Sequence, residues 1–191
     1  MAVIGLSKPY YSTYSASAGA VTYGTPAVLA KACEVAIELN EGNAVILYAD
    51  NGPDEVANGF SGGTMTLTID ELSLESAAAI LGLTAGSSTT PAGTTLTFGG
   101  TAAAPYLGFG VVVKKQINNA IKWLAVVLHK VQFQTPGINA VTQGETVEFQ
   151  TPELTATILR DDTVDANWCT QGQFNTEADA VAFVTKTLGG N

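Results

Sequence analysis

The chain holds few residues of the kinds that do chemistry. Its single histidine, His129, falls inside the apolar run from Ala120 to Gln134. At a strand period of two it shares a face with Trp123 and Phe133, the setting of a packed histidine rather than a general base. Cys33 and Cys169 form no C-x-x-C pair, and no histidine stands at metal-ligand spacing from either. They are expected to be free thiols in a reducing compartment. Gly108-Phe109-Gly110 misses the dinucleotide fingerprint, because Val113 occupies the place of the last glycine. There is no P-loop and no Gly-x-Ser-x-Gly elbow. Asp50, Asp54 and Glu55 flank Asn51-Gly52-Pro53 without matching the calcium-loop pattern, so they read as solvated turn acids. Asp161, Asp162 and Asp165 lie in a loop before Trp168, and Glu145 and Glu148, three apart on a strand, face opposite sides. Nothing converges, so the chain is expected not to be an enzyme and to hold neither metal nor cofactor.

Composition narrows the class. Of 191 residues, 46% are apolar, enough for a core, whereas 13% are charged, about half the usual share. Thr, Ala and Gly take the place of charge, which suits a surface that meets other subunits. The net charge is −9, with the acids scattered. That balance argues against phosphate-backbone binding, which needs clustered Lys and Arg. Tyr10, Tyr11 and Tyr14 beside Lys8 and Pro9 could stack on a nucleic acid, but in so acidic a chain they are expected to pack on a sheet or a neighbour. Met1 to Leu6 has no basic start or long apolar run, and no stretch is long and apolar enough for a membrane helix. The expectation is a protein made, and assembled, in the cytoplasm.

The elements that would position these residues are mostly strands. Thr64 to Asp70 alternates polar and apolar and predicts a half-buried strand. Val28 to Leu39 and Ala44 to Tyr48 are strand-like, separated by the turn Asn40-Glu41-Gly42-Asn43. Tyr106 to Gln116 is another strand. Ala120 to Gln134 reads as the longest strand; both its faces are apolar at the centre, which places it in mid-sheet with cover on two sides. Glu145 to Arg160 gives a strand pair or one bent strand, with Pro152 marking an edge or bulge. Ser73 to Leu83 is a helix with Ser73 as cap and Gly82 as stop. A second helix starts at Asn175 or Thr176, with Val181, Val184 and Leu188 as its stripe. Asp50 to Gly63 reads as a loop. Residues 84–105 read as a low-complexity Gly/Thr/Ala loop or insertion inside an uncharged stretch that runs from Ser76 to Val113. The fold class that follows is mainly β (α+β), an antiparallel β-sandwich or open barrel with one flanking helix and a C-terminal helix, in a single domain over 1–191.

Several strings, taken in order, resemble the phi13-type major tail proteins of long-tailed bacteriophages. They are Ile4-Gly5-Leu6 to Tyr10-Tyr11, Tyr23-Gly24-Thr25-Pro26 and Leu47-Tyr48-Ala49-Asp50-Asn51-Gly52. Gly63-Thr64-Met65-Thr66-Leu67 to Asp70-Glu71-Leu72 follows, ahead of an Ala-rich helix ending Leu81-Gly82. Pro105 to Gly110, His129 to Phe133 and Phe149 to Leu154 complete the set; residues 85–105 carry none of it. The resemblance implies a virion structural protein whose copies form stacked, hexameric rings. The sheets of a ring would join into an inner barrel, a tail tube through which DNA passes during ejection without specific binding. It implies tape-measure and tail terminator proteins as further partners, a place in the virion tail after assembly in the host cytoplasm, and a non-contractile tail. On that reading Asp50, Asn51, Gly52, Pro53, Asp54 and Glu55 belong to an inter-subunit loop. Glu34, Glu38 and Glu148 become candidates for an acidic lumen that repels phosphate. The alternative is a carbohydrate- or surface-binding β-sandwich module, which needs an exposed aromatic platform; Trp123 and Trp168 are the only tryptophans.

Overall fold

The computed structural model describes residues 2–41, 45–49, 52–57, 59–89, 91–138, 142 and 151–190. Asp50, Asn51, Glu145 and Glu148 lie outside them. Among the described residues thirteen strands and two helices follow one another. First come β1 (Ala2–Ser17), β2 (Ala20–Tyr23), β3 (Ala27–Val28), β4 (Ala32–Glu41), β5 (Val45–Ala49), β6 (Gly52–Ala57) and β7 (Phe60–Ile69). After helix α1 (Leu74–Leu81) come β8 (Ala85–Thr89), β9 (Ala92–Leu96), β10 (Leu107–Ile117), β11 (Ala120–Phe133), β12 (Glu153–Leu159), β13 (Cys169–Phe174) and helix α2 (Glu177–Thr187).

Nine of the strands form one antiparallel sheet, ordered β2-β1-β10-β11-β12-β7-β4, with β3 paired to β1 and β13 to β11. The sheet curls, so that the inner faces of β7 and β12 close over those of β10 and β11 around Met65, Leu67, Phe109, Leu128, Leu154 and Ile158. Strand β4 comes back against β1 without a hydrogen-bonded ladder, which leaves an open barrel. The mainly β, α+β reading therefore holds, with α1 against the main core and α2 on the opposite face of β10 and β11.

Both helices start where their caps predict, and α1 stops at the predicted glycine. Ser73 Oγ accepts the Ser76 N–H at 3.1 Å, and Gly82, at φ +66°, ends α1 in the left-handed conformation that glycine adopts without penalty. Thr176 Oγ1 accepts the Asp179 N–H at 3.2 Å to cap α2. Val184 and Leu188 on α2 are buried and Val181 packs beside them.

The longest strand is β1, of 16 residues, not β11. Its pattern is hidden by two register shifts against β10, between Val3 and Gly5 and between Ser7 and Tyr10. Pro9 sits within the second, where no ladder donor is lost. Strand β11 is central and covered on both sides as its sequence suggests, but it switches faces part-way. Leu128 pairs with Phe109 and Val131 with Leu107, so an extra residue bulges out near His129. Trp123, Ala125 and Val127 face α2, whereas Val131 and Phe133 turn into the main core with Val126 and Leu128. Phe133 thus leaves the face on which simple alternation places it with His129.

Four other expectations change. Asp50 to Gly63 is not a loop throughout, since Gly52–Ala57 is a strand paired with Val45–Ala49, and Phe60 to Gly63 already belongs to β7. Residues 84–105 are not structureless: β8 and β9 form a hairpin of small residues that packs beside α1. Pro152 stands just before β12, which is an interior strand between β11 and β7; its carbonyl accepts the Ile69 N–H at 3.1 Å. Asn40 and Glu41 of the expected turn belong to the end of β4, and Gly42 and Asn43 lie outside the described residues.

The glycines that fail as a dinucleotide motif have a packing role. On β10, Leu107, Phe109 and Val111 point into the main core, and Gly108 and Gly110 lie under α2. A Cβ on Gly108 would come within 2.6 Å of Leu188 Cδ2 and 2.7 Å of Tyr23 Cε1, and one on Gly110 would collide with Val184 Cγ1. Gly110→Ala is expected to cost about 1–3 kcal/mol by overpacking, read as a lowered midpoint in chemical denaturation. An unchanged midpoint would mean that α2 does not sit on β10 this closely.

Candidate functional site: a threonine and glutamate sheet face

The outer face of β4, β7 and β12 is built by alternation alone. Val35, Ile37, Met65, Leu67, Leu154, Ala156 and Ile158 take the inward positions. Glu34, Ala36 and Glu38 therefore point outward from β4, and Thr68, Thr66 and Thr64 stand opposite them on β7. Beyond these on β12 come Glu153, Thr155 and Thr157. Neighbouring strands lie about 4.8 Å apart, so Glu34 and Glu153, which flank Thr68, are roughly 10 Å apart at the backbone. Glu34, Glu38 and Glu153 are exposed, and the threonines are half-buried. No Lys or Arg stands among these nine positions. The arrangement offers neutral hydroxyls and separated carboxylates, a hydrated face that repels anions.

The structure brings Glu34 and Glu38 onto one strand face, as proposed from sequence, and adds Glu153, which sequence reasoning missed. The signal was present in Glu153-Leu154-Thr155-Ala156-Thr157, a second polar/apolar alternation like that of β7. Its register against Thr68 is a property of the folded sheet. Gly52, Pro53, Asp54 and Glu55 are on β6, whose ladder with β5 is irregular between Leu47 and Tyr48. Among the described residues these two strands pack chiefly on each other.

The remaining polar residues meet at the bulge of β11. There β13 pairs with its first half and β12 with its end, so the sheet forks. His129 Nε2 lies 2.7 Å from Thr170 Oγ1 on β13, and the Tyr23 hydroxyl donates to the His129 carbonyl at 3.0 Å. Nearby, the Asp162 carboxylate accepts from Tyr14 Oη and from Lys130 Nζ, both at 2.7 Å. Lys130 Nζ lies over the rings of Tyr14 and Tyr106. Burial, then the bond to Asp162, pushes the Tyr14 hydroxyl up to about 12. Burial also raises Tyr23. Lys130, then Tyr14, holds Asp162 below its usual value. These contacts join β1, β11 and the segment after β12. Among the described residues no group of His, Cys, Asp and Glu is placed to hold a metal ion.

Burial lowers the His129 pKa, against a smaller opposing effect of Asp161. An unfolded histidine titrates near 6.5. Between that value and the lower native one the unfolded chain binds more protons, so stability falls as pH drops below about 6.5 and levels off once native His129 is protonated. Asp70 and Asp162, both lowered by their partners, lose their contribution only in the acid range beneath the ordinary carboxylate value. His129→Gln is expected to flatten the dependence of Tm on pH between about 7 and 5. Parallel Tm profiles for the two proteins would remove His129 as the titrating group.

Trp168 stacks on Phe60 at 4.9 Å with planes 6° apart, and Trp123 lies beneath Lys114 Nζ. Both are half-buried, so neither forms an exposed platform. Among the described residues no helix is long and apolar enough to cross a membrane. No protein-family model and no curated protein sequence matches this chain.

Proposed function

We propose that this protein is a structural, non-enzymatic subunit that assembles with copies of itself, and that the assembly is the tail tube of a long-tailed phage. The observation that carries the reading is the outward face of β4, β7 and β12, with its threonines, its three acids and no basic residue. Turned to a lumen, such a face lets a polyphosphate pass without adhering, because like charges repel and hydroxyls stay hydrated. Two further features fit. Among the described residues strand β4 ends the ladder, and a sheet edge of 10 residues is a template for pairing unless another chain covers it. The β5–β6 hairpin stands apart from the main sheet, suited to reach a neighbouring ring. Stacked hexameric rings are the expectation carried by the ordered resemblance, as are the tape-measure and terminator partners, the virion location and the passage of DNA.

Head-to-tail stacking propagates, so the reading predicts tubes rather than closed particles. The test is electron microscopy of the purified protein at rising concentration. Hollow filaments are expected. Monodisperse single subunits at every concentration and in every buffer would count decisively against it. The carbohydrate-module alternative is tested by a glycan array, and the two tryptophans give it no platform.

A further inference from the structure

The inner face of β10 and β11 is not equally covered along its length. Phe109, Val111 and Leu128 are fully buried in the main core, whereas Val113 and Leu124, further along the same face, are half-buried. Leu6 of β1 stands opposite Val113 and completes a row with Leu124 across three strands. Val35 and Ile37 of β4, also half-buried, line the same cleft, which has a volume of about 740 Å³. The cause is local. Among the described residues β4 approaches β1 without pairing to it, so the two walls stay apart. Apolar surface left facing water is unfavourable, and a volume of this size lies within the roughly 300–1,000 Å³ of small-molecule pockets.

The next row on that face is Val3, Lys115 and Lys122. Lys122 is bonded to Asn175 Oδ1. Lys115 lines the cleft, and among the described residues its ammonium makes no ion pair. Glu34 borders the cleft as well, but strand alternation turns its side chain to the outer face, opposite Thr68. Lys115 is therefore the charge that the cleft itself presents. A single cation beside an apolar slot selects a ligand by two properties, an aliphatic body for the slot and one negative charge for the ammonium. We propose that this cleft binds a long-chain carboxylate, with its chain against Leu6, Val113, Leu124, Val35 and Ile37 and its carboxylate on Lys115. The site is independent of the assembly reading, and either can fail without the other.

Isothermal titration calorimetry of dodecanoate, below its micelle concentration, into dilute single subunits of the full chain tests it. Maleimide labelling of Cys33, which is exposed and borders the cleft, is the second readout. Dodecanoate should bind once per chain and slow the labelling. Dodecyltrimethylammonium has the same chain and the opposite charge, and should bind about tenfold or more weakly. Butyrate keeps the charge but lacks most of the chain, and should bind about a hundredfold or more weakly. Lys115→Gln should weaken dodecanoate binding about tenfold and remove the preference over the cationic amphiphile, with circular dichroism unchanged. Protection of Cys33 in the wild-type protein does not depend on that variant folding. Neither heat nor protection of Cys33 with dodecanoate overturns the site, and tubes formed by such a protein leave the assembly reading standing. Equal binding of the two amphiphiles, or equal binding of dodecanoate by the wild type and Lys115→Gln, removes Lys115 as the anchor and overturns an anionic ligand.

Discussion

Deletion of residues 51–59 is expected to abolish tube formation while leaving a folded subunit. The reason lies in what the β5–β6 hairpin touches. Its strands pair with each other and pack chiefly on each other, outside the nine-stranded sheet that holds the core. An isolated two-stranded hairpin is marginal in water. It therefore adds little to the stability of the subunit, and its order has to come from a neighbour. The midpoint of thermal unfolding should move by no more than about 2–4 °C, equivalent to about 1 kcal/mol for a chain of this size. Pelleting and electron microscopy read the assembly, and calorimetry reads the fold. Normal tubes from the deleted protein would remove the hairpin from the interface. Loss of the fold itself would show that the hairpin belongs to the core, contrary to its packing.

Phe109→Ala should produce the largest loss of stability of any single change considered. Phe109 is fully buried at the centre of the main cluster and meets Phe133 edge-on, with ring centroids 6.2 Å apart and planes at 68°. Its neighbours Gly108 and Gly110 have no side chains to move into the vacated space, and they are pinned from the other side by α2. The site can therefore collapse only partly, so a cavity cost adds to the lost transfer energy. The expected loss is about 3–5 kcal/mol, a large part of the roughly 5–15 kcal/mol that stabilises an ordinary domain. Chemical denaturation with a fixed slope measures it. A loss below about 1 kcal/mol would mean that the cluster repacks and that the inner faces of the sheet are not held as described.

Strand β4 meets two demands at once. Its outward residues, Glu34 and Glu38, would face the proposed lumen, and its inward residues, Val35 and Ile37, support the core, because successive side chains alternate across a strand.

Local chemistry was legible wherever it needs only neighbours in sequence. Ser73 and Gly82 bound α1, Thr176 starts α2, and the alternation of Thr64 to Ile69 sets which residues are buried, because caps and a two-residue period act within a few positions. The sparse charge was equally plain. Long-range choices were not. The length of β1 is masked by Gly5, Pro9 and two bulges, and its pairing with β10 is a contact between distant parts of the chain. The face switch near His129 depends on one extra residue that only the ladder with β10 defines. The hairpin of β8 and β9 carries almost no apolar signal, since its residues are small and exposed. Above all, Glu34, Glu38 and Glu153 share a face because β7 runs between β4 and β12 in one particular register. A slip of one residue would turn Glu153 into the core. Residue type thus determined that this chain would be a β-rich protein with two capped helices. Strand order and register, which depend on the packing of the whole core, decided which of its acids stand together.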